Sequence, residues 1–171
     1  KPTIVDKNLS SYIADNYFCK DRSLYSGDGH NLVPPTLFFP YKRLYNDSNK
    51  SATLTCEKTD KFSVLTNIGN GKLTYPIALI TADEISLAGG MYNYKNENYY
   101  LRTNNYWFTM TPSHVSQNYA SARVWLVYPA GELRDWSAVD NTHGVRAVIN
   151  LNSNVSIKSG DGTMENPYKI S

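Results

Sequence analysis

Thr81-Ala82-Asp83-Glu84 is the strongest structural signal in the chain, because it fixes the start of a helix from two directions. A threonine N-cap with glutamate three residues later forms a capping box, and Asp83 adds negative charge where the helix dipole favours it. Ile85, Leu87 and Ala88 supply apolar contacts, and Gly89-Gly90 ends the helix. Strand signals dominate the chain after Gly90. Ser121 to Tyr128 alternates, with Ala122, Val124 and Leu126 on one side and Arg123, Trp125 and Val127 on the other. Tyr106 to Thr111 reads as a strand running into Pro112, and Pro129-Ala130-Gly131 as a turn. Val145 to Leu151 reads as a third strand, and Val155 to Ile170 as two short strands around Ser159-Gly160-Asp161-Gly162-Thr163. One good helix followed by strands predicts an α+β fold.

Signals before that helix are weaker. Lys1 to Lys20 supports a short helix capped by Asn8 or Ser10, with Leu9, Tyr12, Ile13, Tyr17 and Phe18 at helical spacing. Gly27-Asp28-Gly29 marks a turn, and Pro34, Pro35 and Pro40 confine Leu37-Phe38-Phe39 to a short extended piece. Ala52 to Cys56 and Phe62 to Leu65 are short strand candidates, Asn70-Gly71 is a turn, and Leu73 to Ile80 suits an edge strand because of Pro76. Met91 to Asn105 is dominated by Tyr and Asn and reads as a long exposed loop. With no internal repeat and no linker, residues 1–171 are expected to form a single domain.

Composition narrows the function. A net charge of +2 and a longest basic cluster of two residues, Lys42-Arg43, give no footprint for nucleic acid or an anionic membrane surface. No run of about 20 apolar residues is present, so no direct membrane span is expected in this chain. It begins at Lys1 rather than Met, which raises the expectation of an upstream signal peptide or anchoring helix. Cys19 and Cys56 are either two separate buried thiols or a disulfide closing a long loop, worth up to about 4 kcal/mol in an oxidising compartment. Their spacing and the lack of nearby His or Cys partners argue against a metal site.

Three motifs stand in order: Leu79-Ile80-Thr81-Ala82-Asp83-Glu84 before Ala88-Gly89-Gly90, Tyr106-Trp107-Phe108-Thr109-Met110-Thr111-Pro112-Ser113, and Gly144-Val145-Arg146-Ala147-Val148-Ile149-Asn150-Leu151. Together they resemble secreted bacterial domains of the C-type-lectin-like fold, distantly related to the formylglycine-generating enzyme (the sulfatase-modifying factor fold). Gly160-Asp161-Gly162-Thr163 with Asn166-Pro167-Tyr168 is also similar to the closing segment of surface, pilin-like and adhesin-like proteins of Gram-positive gut bacteria. The resemblance covers roughly residues 73–171; residues 1–72 match only loosely. It implies a mixed fold with short antiparallel strands, one or two helices and a long irregular loop region, displayed outside the cell. Some such domains are hypervariable, with Asn, Tyr and Ser crowding the binding face. Tyr92 to Tyr119 has that composition here, although an AT-rich genome enriches the same residues throughout a chain.

The candidate chemistry points to binding rather than catalysis. The formylglycine-generating enzyme uses a late pair of cysteines, whereas both cysteines here lie in the first third. Ser113 and His114 are adjacent, and Asp135 or Asp140 could complete a triad, but no G-x-S-x-G elbow is present. The calcium motifs of sugar-binding lectins are missing, and Asp161 reads as part of a tight turn, so neither cofactor nor metal is expected. Arg146, in an apolar strand, is expected to pair with Asp83 or Glu84 at the helix start. Trp107 and Trp125 are expected in the core, and Trp136, between Asp135 and Ser137 in a polar loop, to be exposed. A recognition surface would combine rigid aromatics with adaptable polar groups; the candidates are Tyr92, Tyr94, Tyr99, Asn104, Asn118, Tyr119, Trp136, Asn141 and His143. The leading expectation is an extracellular or cell-surface recognition module, an adhesin or minor-pilin-like head, for a protein or glycan ligand. A structural subunit of a pilus or other surface assembly comes second, and an enzyme resembling the formylglycine-generating enzyme last.

Overall fold

The computed structural model describes residues 10–46, 51–116, 121–163 and 165–171. Its strands in chain order are β1 (Phe18–Cys19), β2 (Leu24–Ser26), β3 (Thr36–Phe38), β4 (Lys61–Phe62), β5 (Ala78–Leu79) and β6 (Trp107–Ser116). They continue with β7 (Ser121–Val127), β8 (Leu133–Ala138), β9 (Gly144–Val145), β10 (Ala147–Val148), β11 (Ile157–Ser159) and β12 (Lys169–Ile170). The helices are α1 (Phe39–Tyr41), which runs on into a π-turn over Lys42–Asn46, and α2 (Ala82–Leu87). The fold is therefore mixed and mostly antiparallel, as α+β requires.

The central sheet runs β2-β3-β6-β7-β8, with β9 added in parallel to β6. β3 pairs with β6 at Val115 and His114, whereas β9 pairs with its opposite end at Trp107 and Phe108. β6 is longer than its sequence suggests, because it passes through Pro112 instead of stopping there. The register shifts on both sides of Pro112, and these irregularities absorb the missing N–H.

Helix α2 forms as its caps dictate. Thr81 Oγ1 accepts from the Glu84 amide at 3.1 Å, while the Glu84 carboxylate accepts from the Thr81 amide at 2.8 Å. Gly89, at φ 103°, closes the helix in a conformation that costs a side chain strain. The helix lays Ala82 and Ile85 on Trp107, Trp125, Val127 and Leu133 of the sheet, joined by Leu44 and Tyr99. Trp125 is 0% exposed and Trp107 2%, so both indoles are core residues as expected.

Several local expectations give way. Among the described residues, 10–20 hold one 3-10 turn at Ser10–Tyr12, not a longer helix; Asn8 and Leu9 lie outside the described residues. Ala52 to Cys56 forms no strand, and the pieces at 62–65 and 73–80 shrink to β4 and β5. Val145 to Leu151 is split at Arg146 into β9, paired with β6, and β10, paired with β5. The Arg146 guanidinium donates to the Leu101 carbonyl and lies 5.3 Å from the Trp107 ring. Asp83 instead receives Arg43, and Glu84 is consumed by the cap, so the expected pairing of Arg146 with either carboxylate is corrected. Trp136, expected in a polar loop between Asp135 and Ser137, lies instead on strand β8.

Cys19 and Cys56 form a disulfide, 37 residues apart in sequence. Closing a loop of that length is worth about 4 kcal/mol in the chain-entropy account. Among the described residues, no helix is long and apolar enough to cross a membrane.

Candidate functional site

Two clefts meet at one residue, Trp136. The first, of about 290 Å³, is lined by Tyr41, Tyr45, Tyr92, His114, Arg134, Asp135 and Trp136. The second, of about 330 Å³, is lined by Tyr106, Arg123, Leu126, Tyr128, Ser137, Asn141 and His143, with Trp136 again on its wall. Trp136 is 47% exposed although it sits on β8, where the burial alternates from Leu133 to Ser137. Its position follows from strand period, which places Asp135 and Ser137 inward and the indole outward.

The wall of the first cleft comes from α1 and the π-turn. Pro40 at the helix start and tyrosines four residues apart put Tyr41 and Tyr45 on one face, where their rings stack at 4.7 Å. Tyr45 also meets the Tyr92 ring at 4.6 Å and shares a hydrogen bond with its hydroxyl. Tyr92 in turn stands edge-on to the buried Trp125 at 5.8 Å. This aromatic wall is thus anchored to the core. Arg43, between the two tyrosines, fixes the turn by donating to Asp21 and to both oxygens of Asp83.

The floor is polar. Burial raises the Asp135 carboxyl above its ordinary range, opposed by a hydrogen bond from Tyr92 and by the nearby charges of Arg134 and Arg123. Burial also drives the Tyr92 hydroxyl upward, with the Asp135 charge adding to it. Arg134 is occupied by Glu132, whose carboxylate accepts from Nε at 2.7 Å and lies 2.6 Å from Nη2. His114 is pushed down to about 4, by burial first and by the Arg123 charge second, so it is neutral at physiological pH.

Ser113 Oγ lies 2.9 Å from His114 Nδ1, the distance of a nucleophile and its base. The hydroxyl is 0% exposed, however, so a substrate would have no route to it. Asp135 faces the same cleft as His114 but is held by Tyr92, and Asp140 lies in the exposed turn after β8. Among the described residues no group of three His, Cys, Asp or Glu side chains could hold a metal ion.

The second cleft has its own network. The Trp136 indole donates to the Tyr128 hydroxyl, which burial holds above its ordinary range. Tyr128 meets Tyr106 edge-on at 4.7 Å, and the His143 ring lies 4.8 Å from Phe108. Ser137 Oγ ties the floor together, 3.0 Å from His143 Nε2 and 3.3 Å from Asn141 Nδ2.

The structure therefore gathers Tyr92, Trp136, Asn141 and His143 around the two adjoining clefts. Tyr94 is exposed on the loop that follows Tyr92. Tyr99 is 4% exposed and serves the core, and Asn104 lines a separate recess beside the C-terminal hairpin. Asn118 and Tyr119 lie outside the described residues. Sequence reasoning missed Tyr41 and Tyr45, whose i, i+4 spacing after Pro40 was the available signal. It also missed Tyr106 and Tyr128, which become neighbours only through the pairing of β6 with β7.

The chain matches no family model, no curated protein and no solved structure.

Proposed function

We propose that this domain is an extracellular recognition module without catalytic chemistry of its own, and that it binds its ligand across the two clefts that share Trp136. The observation that carries this reading is the exposed indole between two walls of rigid aromatic rings, with hydrogen-bonding floors on both sides. Amphipathic rings supply contact area at little entropic cost, and Asp135, Asn141 and His143 supply direction. The disulfide supports an oxidising, extracellular setting. The motif resemblance to C-type-lectin-like surface domains points the same way. Probing the purified domain on glycan and host-protein arrays, with and without calcium, tests the reading: it requires a specific hit that Trp136→Ala abolishes.

One observation favours a second reading, a structural subunit of a surface assembly. Among the described residues the β11-β12 hairpin pairs only with itself, and it leaves Ile157, Tyr168 and Ile170 exposed. Concentration-dependent self-association of the domain, abolished by Ile157→Lys, would support it.

A further inference from the structure

We propose that the first cleft is a receptor for an organic ammonium group, held against the Tyr41, Tyr45, Tyr92 and Trp136 rings with Asp135 as its counter-charge. The inference rests on the reading of the clefts as the binding face and specifies what one of them takes. Four aromatic residues line a space of about 290 Å³ that the largely buried Asp135 also borders. Aromatic faces carry negative potential, and they recognise ammonium groups best where water is largely excluded. Asp135 meets that condition: its carboxyl is inward-facing, hydrogen-bonded by Tyr92, and forms none of the ion pairs seen among the described residues.

The other charged groups fit a cation. Arg134 lines this cleft and would repel one, but the buried Glu132 carboxylate pairs with it, and its guanidinium leans toward the Tyr128 ring, 5.5 Å away. Arg123 lines the second cleft and donates to the Trp136 carbonyl, and its charge reaches Asp135 and His114 only from that side. His114 stays neutral above about pH 4 and adds no positive charge. Asp135 is therefore the carboxylate of this cleft that no ion pair claims among the described residues, with the charges of Arg134 and Arg123 acting on it from nearby. An anionic ligand would meet this carboxylate, and the guanidinium that lines the same cleft is already paired with Glu132. A neutral ligand would leave it desolvated and unpaired, which is costly.

The test is titration of the intact domain with choline, with Nα-acetyl-lysine methylamide and with 3,3-dimethylbutan-1-ol, the uncharged carbon isostere of choline. Binding is followed by tryptophan fluorescence and by chemical-shift changes at the Trp136 indole. The first two probes distinguish a quaternary headgroup from a lysine side chain as the source of the ammonium. The expected result is saturable binding of at least one ammonium probe, weakened at least about tenfold in the isostere and in Asp135→Asn. The isostere comparison uses the unmodified protein, so it stands even if the variant folds poorly. Equal binding of choline and its isostere overturns the proposal. So does an absence of ammonium binding by a domain that still shows a Trp136-dependent array hit, and in that case the recognition reading survives. If nothing binds in a Trp136-dependent way, the recognition reading itself fails.

Discussion

Arg43 grips Asp83 through two parallel hydrogen bonds of 2.6 Å, Nε to Oδ1 and Nη2 to Oδ2, and so ties the tyrosine-bearing turn to the first turn of α2. A third bond, from Nη1 to Asp21, also measures 2.6 Å. Both side chains of the Arg43–Asp83 pair are largely buried, so removing one partner strands a charge. Arg43→Met is expected to destabilise the domain by about 3 to 5 kcal/mol, read by urea denaturation. The same variant should loosen the Tyr41–Tyr45 wall and weaken any ligand of the first cleft. An Arg43→Met protein as stable as the parent would show that the pair is not what holds the turn.

Acid should destabilise the fold through His114. An unfolded histidine titrates near 6.5, whereas burial and then the Arg123 charge bring the folded one down to about 4. As pH falls through that window the unfolded chain takes up the proton first. The neutral-histidine contribution is thus complete above pH 6.5 and lost progressively toward pH 4. The loss should amount to about 1 to 3 kcal/mol. Thermal melts at closely spaced pH values, compared with His114→Gln, check this: the variant should lack the slope between those limits.

Gly131 marks a close approach between the sheet and the segment after α2. Its φ is +79°, and a Cβ placed on it would lie 2.3 Å from the Asn96 carbonyl oxygen. The β7–β8 turn and the segment carrying Tyr92 and Tyr99 therefore meet backbone to backbone. Gly131→Ala should cost about 1 to 3 kcal/mol and raise amide exchange around Asn96 and Tyr99. A neutral substitution would mean that this segment yields without loss.

The parts of the fold legible in the sequence are those whose causes are local. The capping box and glycine stop of α2 announce themselves in ten consecutive residues, and β7 alternates openly. β8 was hidden because its inward positions after Leu133 are Asp135 and Ser137, polar residues that face clefts instead of an apolar core. That substitution of polar for apolar erased the strand pattern and is also what makes the site. Arg43 and Asp83 stand 40 residues apart, and no spacing rule links them. Of the site itself, Trp136, Tyr92, Asn141 and His143 could be chosen by composition and loop context. Their assembly into two clefts around one indole depends on pairing between β6, β7 and β8.

The central claim is most directly tested by measuring the affinity of an array-identified ligand for three proteins: the parent, Trp136→Ala and Tyr94→Ala. Trp136 walls both clefts, whereas Tyr94 is an equally prominent aromatic, 62% exposed, that lines neither. The account predicts a loss of at least about 30-fold for Trp136→Ala, in the range of a central aromatic anchor, with Tyr94→Ala binding as the parent does. Parental affinity in a folded Trp136→Ala protein would contradict it and move the binding face elsewhere on the domain.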